Sequence, residues 1–122
     1  MGVVSRYFER LGALVRPGRR ATLTVAADAA GLRIGGEHVA WSDVRRLDAY
    51  KRDVYSGDLL CLGIAAADSR VFEINEESPG WEEAGSAIER FLPGSMPYAE
   101  WKLRLIAAES GESVSIYPEE TA

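Results

Sequence analysis

Histidine and cysteine each occur once in this chain of 122 residues, as His38 and Cys61. A lone cysteine closes no internal disulfide, so nothing in the cysteine usage calls for an oxidising compartment, and a reducing cytoplasm is expected. One Cys and one His cannot supply a zinc ligand set, and no metal or other cofactor is expected. Cys61 sits in the apolar run "LLCLGI", where burial and inert packing are expected of a thiol. His38 lies beside a turn and next to Trp41 in the chain, the setting of a surface or edge histidine, not of a general base. Other signatures are missing too. "GLRIGG" (31–36) leads into another strand segment where a dinucleotide fingerprint needs a helix, and there is neither a GxxxxGK[ST] loop nor a Gly-x-Ser-x-Gly elbow. No apolar run approaches the about 20 residues that cross a bilayer. In "MGVVSRYFERLGALV", Arg6, Glu9 and Arg10 interrupt any secretory core, and Arg6 stands where a myristoylation pattern needs Ser or Thr.

What is present is a hydrophobic content of 47% and a charged content of 27%, the proportions of one soluble globular domain. Abundant alanine, glycine and arginine point to a GC-rich bacterial gene. The net charge of −5 makes nucleic acid the lowest-ranked partner. That total hides an asymmetry. Arg6, Arg10, Arg16, Arg19 and Arg20 make the first twenty residues basic, whereas from Glu73 onward the cations are Arg90, Lys102 and Arg104. The basic head can pair with the acidic half of its own fold or lie on an anionic membrane surface.

Hydrophobic spacing divides the chain into an N-terminal helix in residues 1–20 and a single domain over 21–122. Val4, Tyr7, Phe8, Leu11, Leu14 and Val15 recur at steps of three and four, an amphipathic helix that Pro17-Gly18 stops. Leu23 and Val25 alternate with Thr22 and Thr24 on a first strand, "DAAG" turns the chain with Gly31 free to take positive φ, and Leu32 and Ile34 share one face of a second strand. "EHVAW" is a short third strand, "SDV" a corner and "VRRLDAYKRD" a longer strand. "DLLCLGIAA" is the most apolar strand and is expected to be central. In "RVFEINEE", Val71 and Ile74 fall on opposite parities, so a bulge or early end is expected. The period then becomes helical. Ser78 is expected as N-cap and Pro79 as the first helical residue, with Trp81, Ala84, Ala87, Ile88, Phe91 and Leu92 on one face. "PYAEWKLRLIAAES" reads as a helix opened by Pro97, although Trp101, Leu103 and Leu105 also alternate as in a strand. "SVSIY" is a last strand and "EETA" a frayed end.

Hairpin-linked strands followed by a helix imply an α+β fold: an antiparallel meander curled into a small barrel or sheet and closed by a C-terminal helix. At "WSDVRRLDAYKRDVYSGDLLCL" and "EINEESPGW", the chain resembles an uncharacterised bacterial family with a pleckstrin-homology-like, GRAM-like fold. The resemblance spans roughly Thr22 to Trp101. It implies that fold and carries no activity.

With no nucleophile–base pair in view, chemistry falls to the carboxylates. Asp53 with Asp58, or Glu76 with Glu77, has the residue types for a cation or for acid–base work, but the spacing fits no known loop, and such residues at strand ends are ordinarily solvated. The densest polar stretch is "DAYKRDVYSGD". Lys51, Arg52, Asp53, Tyr55 and Asp58 surround a Ser56-Gly57 turn. These residues either fix a hairpin by ion pairs with one another and with Glu76 and Glu77, or they form a recognition loop, since Tyr and Arg are favoured at interface hot spots. The reading adopted is a non-enzymatic interaction or regulatory domain that binds a protein partner through these five residues. The alternative is peripheral membrane binding through Arg6, Arg10, Arg16, Arg19 and Arg20. Homodimerisation through the N-terminal helix or an uncovered sheet edge fits both.

Overall fold

The computed structural model describes residues 23–54, 57–109 and 111–118. The expected N-terminal helix, the strand position of Thr22, and Tyr55 lie outside the described residues.

The first three strands are short because turns interrupt them. β1 (Val25–Asp28), β2 (Gly31–Ile34) and β3 (Glu37–Ala40) form a three-stranded antiparallel sheet in that order. The Asp28 Oδ1 atom accepts the N–H groups of Ala30 at 2.8 Å and Gly31 at 3.3 Å, so the aspartate side chain makes the first turn. Gly31 has φ +150°, and a Cβ there would lie 2.2 Å from the Val39 carbonyl oxygen, so the position admits only glycine. Leu23, expected on the buried face, instead precedes β1 and is exposed, while Val25 is buried.

The expected corner is a 3-10 turn, Trp41–Asp43, anchored by the Trp41 indole donating to the Asp28 carbonyl at 2.7 Å. Three longer strands follow: β4 (Val44–Val54), β5 (Gly57–Ala66) and β6 (Val71–Asn75). A seventh strand, β7 (Ser113–Tyr117), returns on the other side of β4 and gives an antiparallel sheet in the order β6-β5-β4-β7. β5 is an inner strand, as its apolar sequence requires. The strands therefore form two separate sheets, not a closed barrel. The bulge expected on β6 is absent, because Phe72 and Ile74 face the core and Val71 simply turns to the other side. The β4–β5 ladder is irregular instead between Val44 and Arg46, where the chain leaves the 3-10 turn.

Between β6 and β7 stand two helices, α1 (Trp81–Phe91) and α2 (Tyr98–Ala107). Ser78 is not the N-cap of α1, and Pro79 is not its first residue. Gly80 holds the cap position with φ 92°, while the Ser78 hydroxyl accepts the Asn75 N–H at 3.0 Å and closes the turn after β6. A tight loop at 75–80 thus takes up the two residues expected to start the helix. The 97–107 stretch is helical, with Trp101 and Leu105 four residues apart on its buried side. Leu32, Ile34, Leu47, Ile64, Ile88 and Trp101 belong to one contiguous core that joins both sheets and both helices.

Candidate functional site

The β4–β5 hairpin carries the residues that the sequence singled out, and strand alternation separates them. Leu47 and Ala49 face the core, opposite Ile64 and Leu62. Lys51 continues that face and Arg52 the other. Lys51 extends past the core edge, and its Nζ donates to the carbonyls of Ile106 at 2.8 Å and Ala108 at 2.6 Å. These acceptors lie at the C-terminal end of α2, where carbonyls lack helical partners and the helix dipole favours a cation. Lys51 therefore tethers the hairpin to α2.

Arg52 serves a different group. Its Nε donates to Glu73 Oε1 on β6 at 2.6 Å, its guanidinium carbon lies 5.9 Å from the centre of the Tyr50 ring, and the Tyr50 hydroxyl donates to the same carboxylate oxygen. Burial, followed by the negative charge of Glu73, pushes the Tyr50 phenol far above its ordinary pKa, so the ring stays neutral. Toward the start of β4, the buried Asp48 accepts from Arg46 Nε at 2.8 Å and from the Ser115 hydroxyl at 3.2 Å. Arg46, Asp48, Tyr50 and Arg52 thus bind β4 to β6 and β7 across the face opposite the core.

Asp53 and Asp58 are exposed and stand opposite each other across the hairpin. Glu76 accepts the Leu60 N–H at 3.1 Å, and Glu77 is exposed. No three metal-ligating side chains cluster among the described residues. The pairing expected between Lys51 or Arg52 and these acids is replaced by the helix carbonyls and Glu73. Of the five predicted residues, then, two hold the fold from opposite faces, two are exposed at the hairpin end, and Tyr55 lies outside the described residues.

The sequence reading missed two residues. Leu103 and Ile106, one turn apart on α2, are 69% and 55% exposed. Their signal was present: "WKLRLIAA" carries more large apolar residues than one buried stripe needs, and that excess also produced the strand-like alternation. Trp81, expected on the apolar face of its helix, is buried edge-on against Trp101 at 6.0 Å. His38 is exposed, as expected. A shallow depression of about 410 Å³ on the three-stranded sheet is lined by Leu23, Thr24, Ala26, Arg33, Gly35 and Gly36, with no carboxylate among them. No helix among the described residues is long and apolar enough to cross a membrane. No protein-family model, curated protein or solved structure shows significant similarity to the chain.

Proposed function

We propose that the chain is a non-enzymatic interaction or regulatory domain of a bacterial cytoplasm, of pleckstrin-homology-like type, which binds a protein partner by surface complementarity. The observation that carries this reading is the exposed pair Leu103 and Ile106 on a helix whose other side is core. The Lys51 tether sets the hairpin against the last turn of α2, so the exposed Asp53 lies only two residues, roughly 7 Å of strand, beyond the contact with Ile106. An apolar centre with a charged border is the composition of a protein-binding surface. Meandering strands followed by a helix support the pleckstrin-homology-like assignment, while two sheets, a second helix and β7 depart from its minimal plan.

The test compares three full-length proteins as bait in extracts of the native cytoplasm: the parent, Leu103→Ser with Ile106→Ser, and Asp53→Ser with Asp58→Ser. A stoichiometric partner that binds the parent again when purified, and is lost with the helix variant at unchanged thermal stability, supports the reading. A dimer of the parent that becomes monomeric with the helix variant makes the partner a second copy. The same proteins captured by all three baits would remove this surface from the function.

A further inference from the structure

α2 carries two apolar stripes, and only one of them is core. Trp101 and Leu105 fill the inner stripe. On the opposite side Ala99, Leu103 and Ala107 recur at steps of four, with Ile106 one turn after Leu103, and all four are exposed. The flanks of this outer stripe differ. Glu100 and Arg104 border one flank, where Arg104 donates to Glu100 at 2.8 Å. Lys102 stands on the other flank, and its ammonium turns away from the stripe, to Glu82 at 3.4 Å and to the Tyr98 ring at 5.3 Å. The outer stripe is therefore small at Ala99, large at Leu103 and Ile106, and edged on one side by an acid with a base one turn later.

We infer that the partner for this surface is a second copy of the chain, with the two α2 helices packed antiparallel about a two-fold axis near Leu103. This rests on the protein-binding reading above and names its partner. The order of the charges carries it. In a two-fold contact, whatever residue i meets as j, j meets again as i. With the helices antiparallel, Glu100 of each copy faces the partner's Arg104, and the two intrahelical pairs close into a ring of alternating charges. A parallel pair would instead set acid beside acid and base beside base, which is repulsive at both positions. Size agrees with charge. The antiparallel register lays the Ala99 methyl against the partner's Ile106 and sets Leu103 beside the partner's Leu103, so small meets large at both ends and leucine fills the axis. On the other flank each Lys102 stays with its own Glu82, so neutral pairs meet there and not bare cations. A partner unlike this chain would need no such symmetry; here both size and charge are complementary to themselves. The ten residues of α2 span about 15 Å, so the helix pair buries less than the about 1,200 Å² of a stable interface, and the dimer is reversible, in the micromolar range.

Sedimentation velocity of the full chain tests this, between about 1 and about 300 µM, a range that brackets a reversible contact of this size. The parent should dimerise. Full-length Glu100→Arg and Arg104→Glu should each weaken the dimer at least about tenfold, because each sets like charges against one another at both ends of the contact. An equimolar mixture of the two variants should dimerise as tightly as the parent, since an all-basic flank then faces an all-acidic one. Mixing would not repair a merely structural loss. A parent that stays monomeric over this range, or a dimer that both charge variants leave intact, would overturn the inference. The bait with Leu103→Ser and Ile106→Ser separates its failure from that of the protein-binding reading. With a monomeric parent, capture that still depends on these two residues removes the second copy and keeps the reading, whereas capture indifferent to them removes both. Should a charge variant unfold, the parent decides. The Ala99 and Ile106 positions are about 10 Å apart along one helix, so a proton–proton NOE between their methyls arises only between two copies. Its presence supports the antiparallel pair, and its absence from a dimeric sample refutes it.

Discussion

Gly80 lies against Val25: a Cβ on Gly80 would stand 1.8 Å from the Val25 carbonyl oxygen, and the Val25 N–H donates to the neighbouring Pro79 carbonyl at 2.9 Å. This contact joins the start of α1 to β1, and through β1 the three-stranded sheet to the rest of the core. Gly36 has the same φ of +92° but nothing within 4 Å of its absent Cβ. The two glycines separate backbone strain from collision. Gly36→Ala is expected to cost about 1 kcal/mol, the strain alone. Gly80→Ala is expected to cost about 3 kcal/mol or more, because the loop must leave β1. Urea unfolding of both variants measures the difference, and equal losses would mean that the loop does not sit on β1.

The two leucines of α2 should differ just as sharply. Leu105 is fully buried and Leu103 is mostly solvent-exposed. Leu105→Ala should destabilise the fold by about 2–5 kcal/mol, and Leu103→Ala by less than about 0.5 kcal/mol. Similar effects at the two positions would favour the strand that their alternating spacing also allows. A loss of partner binding with Leu103→Ala, at constant stability, would fit the surface proposed above.

The element order was legible in the sequence because most segments carry one clear period. β4 and β5 alternate or run apolar between turn residues, and α1 repeats at steps of three and four. The start of α1 was misread because Ser78 and Pro79 have the right chemistry for a helix start, yet Ser78 closes a turn with Asn75 three residues earlier. Local sequence cannot choose between two local hydrogen bonds of similar worth; the docking of Gly80 on β1 chooses. The surroundings of the candidate site residues were less legible for a related reason. Lys51 and Arg52 are adjacent in sequence, but adjacent strand residues face opposite sides, and their partners lie 55 residues away at Ile106 and 21 away at Glu73. Alternation alone could have separated them. The partners depended on where α2 ends and which strand borders β5.

Separation of these two cations has a measurable consequence. Lys51→Met keeps the aliphatic stem and removes the ammonium that holds the Ile106 and Ala108 carbonyls. A loss of about 1 kcal/mol is expected. Hydrogen exchange should quicken at the last turn of α2, one helix end and one strand away from Glu73. Arg52→Met should instead leave exchange in α2 unchanged and loosen the β5–β6 edge around Glu73. Faster exchange in α2 from both variants would mean that the hairpin moves as one body and that the two anchors are not separate.

Alkaline titration tests the buried face from another side. The Tyr50 phenol is raised above its ordinary value first by burial and then by the charge of Glu73, to which it donates its proton in a hydrogen bond. A raised phenol pKa means that the folded state keeps a proton that the unfolded chain gives up. The resulting stabilisation is complete below about pH 10, the value of an unperturbed tyrosine, and is lost as pH rises from there through the raised folded value. Tyr50→Phe removes this proton from both states. The parent should therefore lose stability more steeply than Tyr50→Phe above about pH 10, and the phenolate absorbance of Tyr50 should appear only together with unfolding. If the parent and the variant showed the same slope, Tyr50 would ionise freely in the folded protein, and the outer face of the sheet would be open to water at its most buried aromatic.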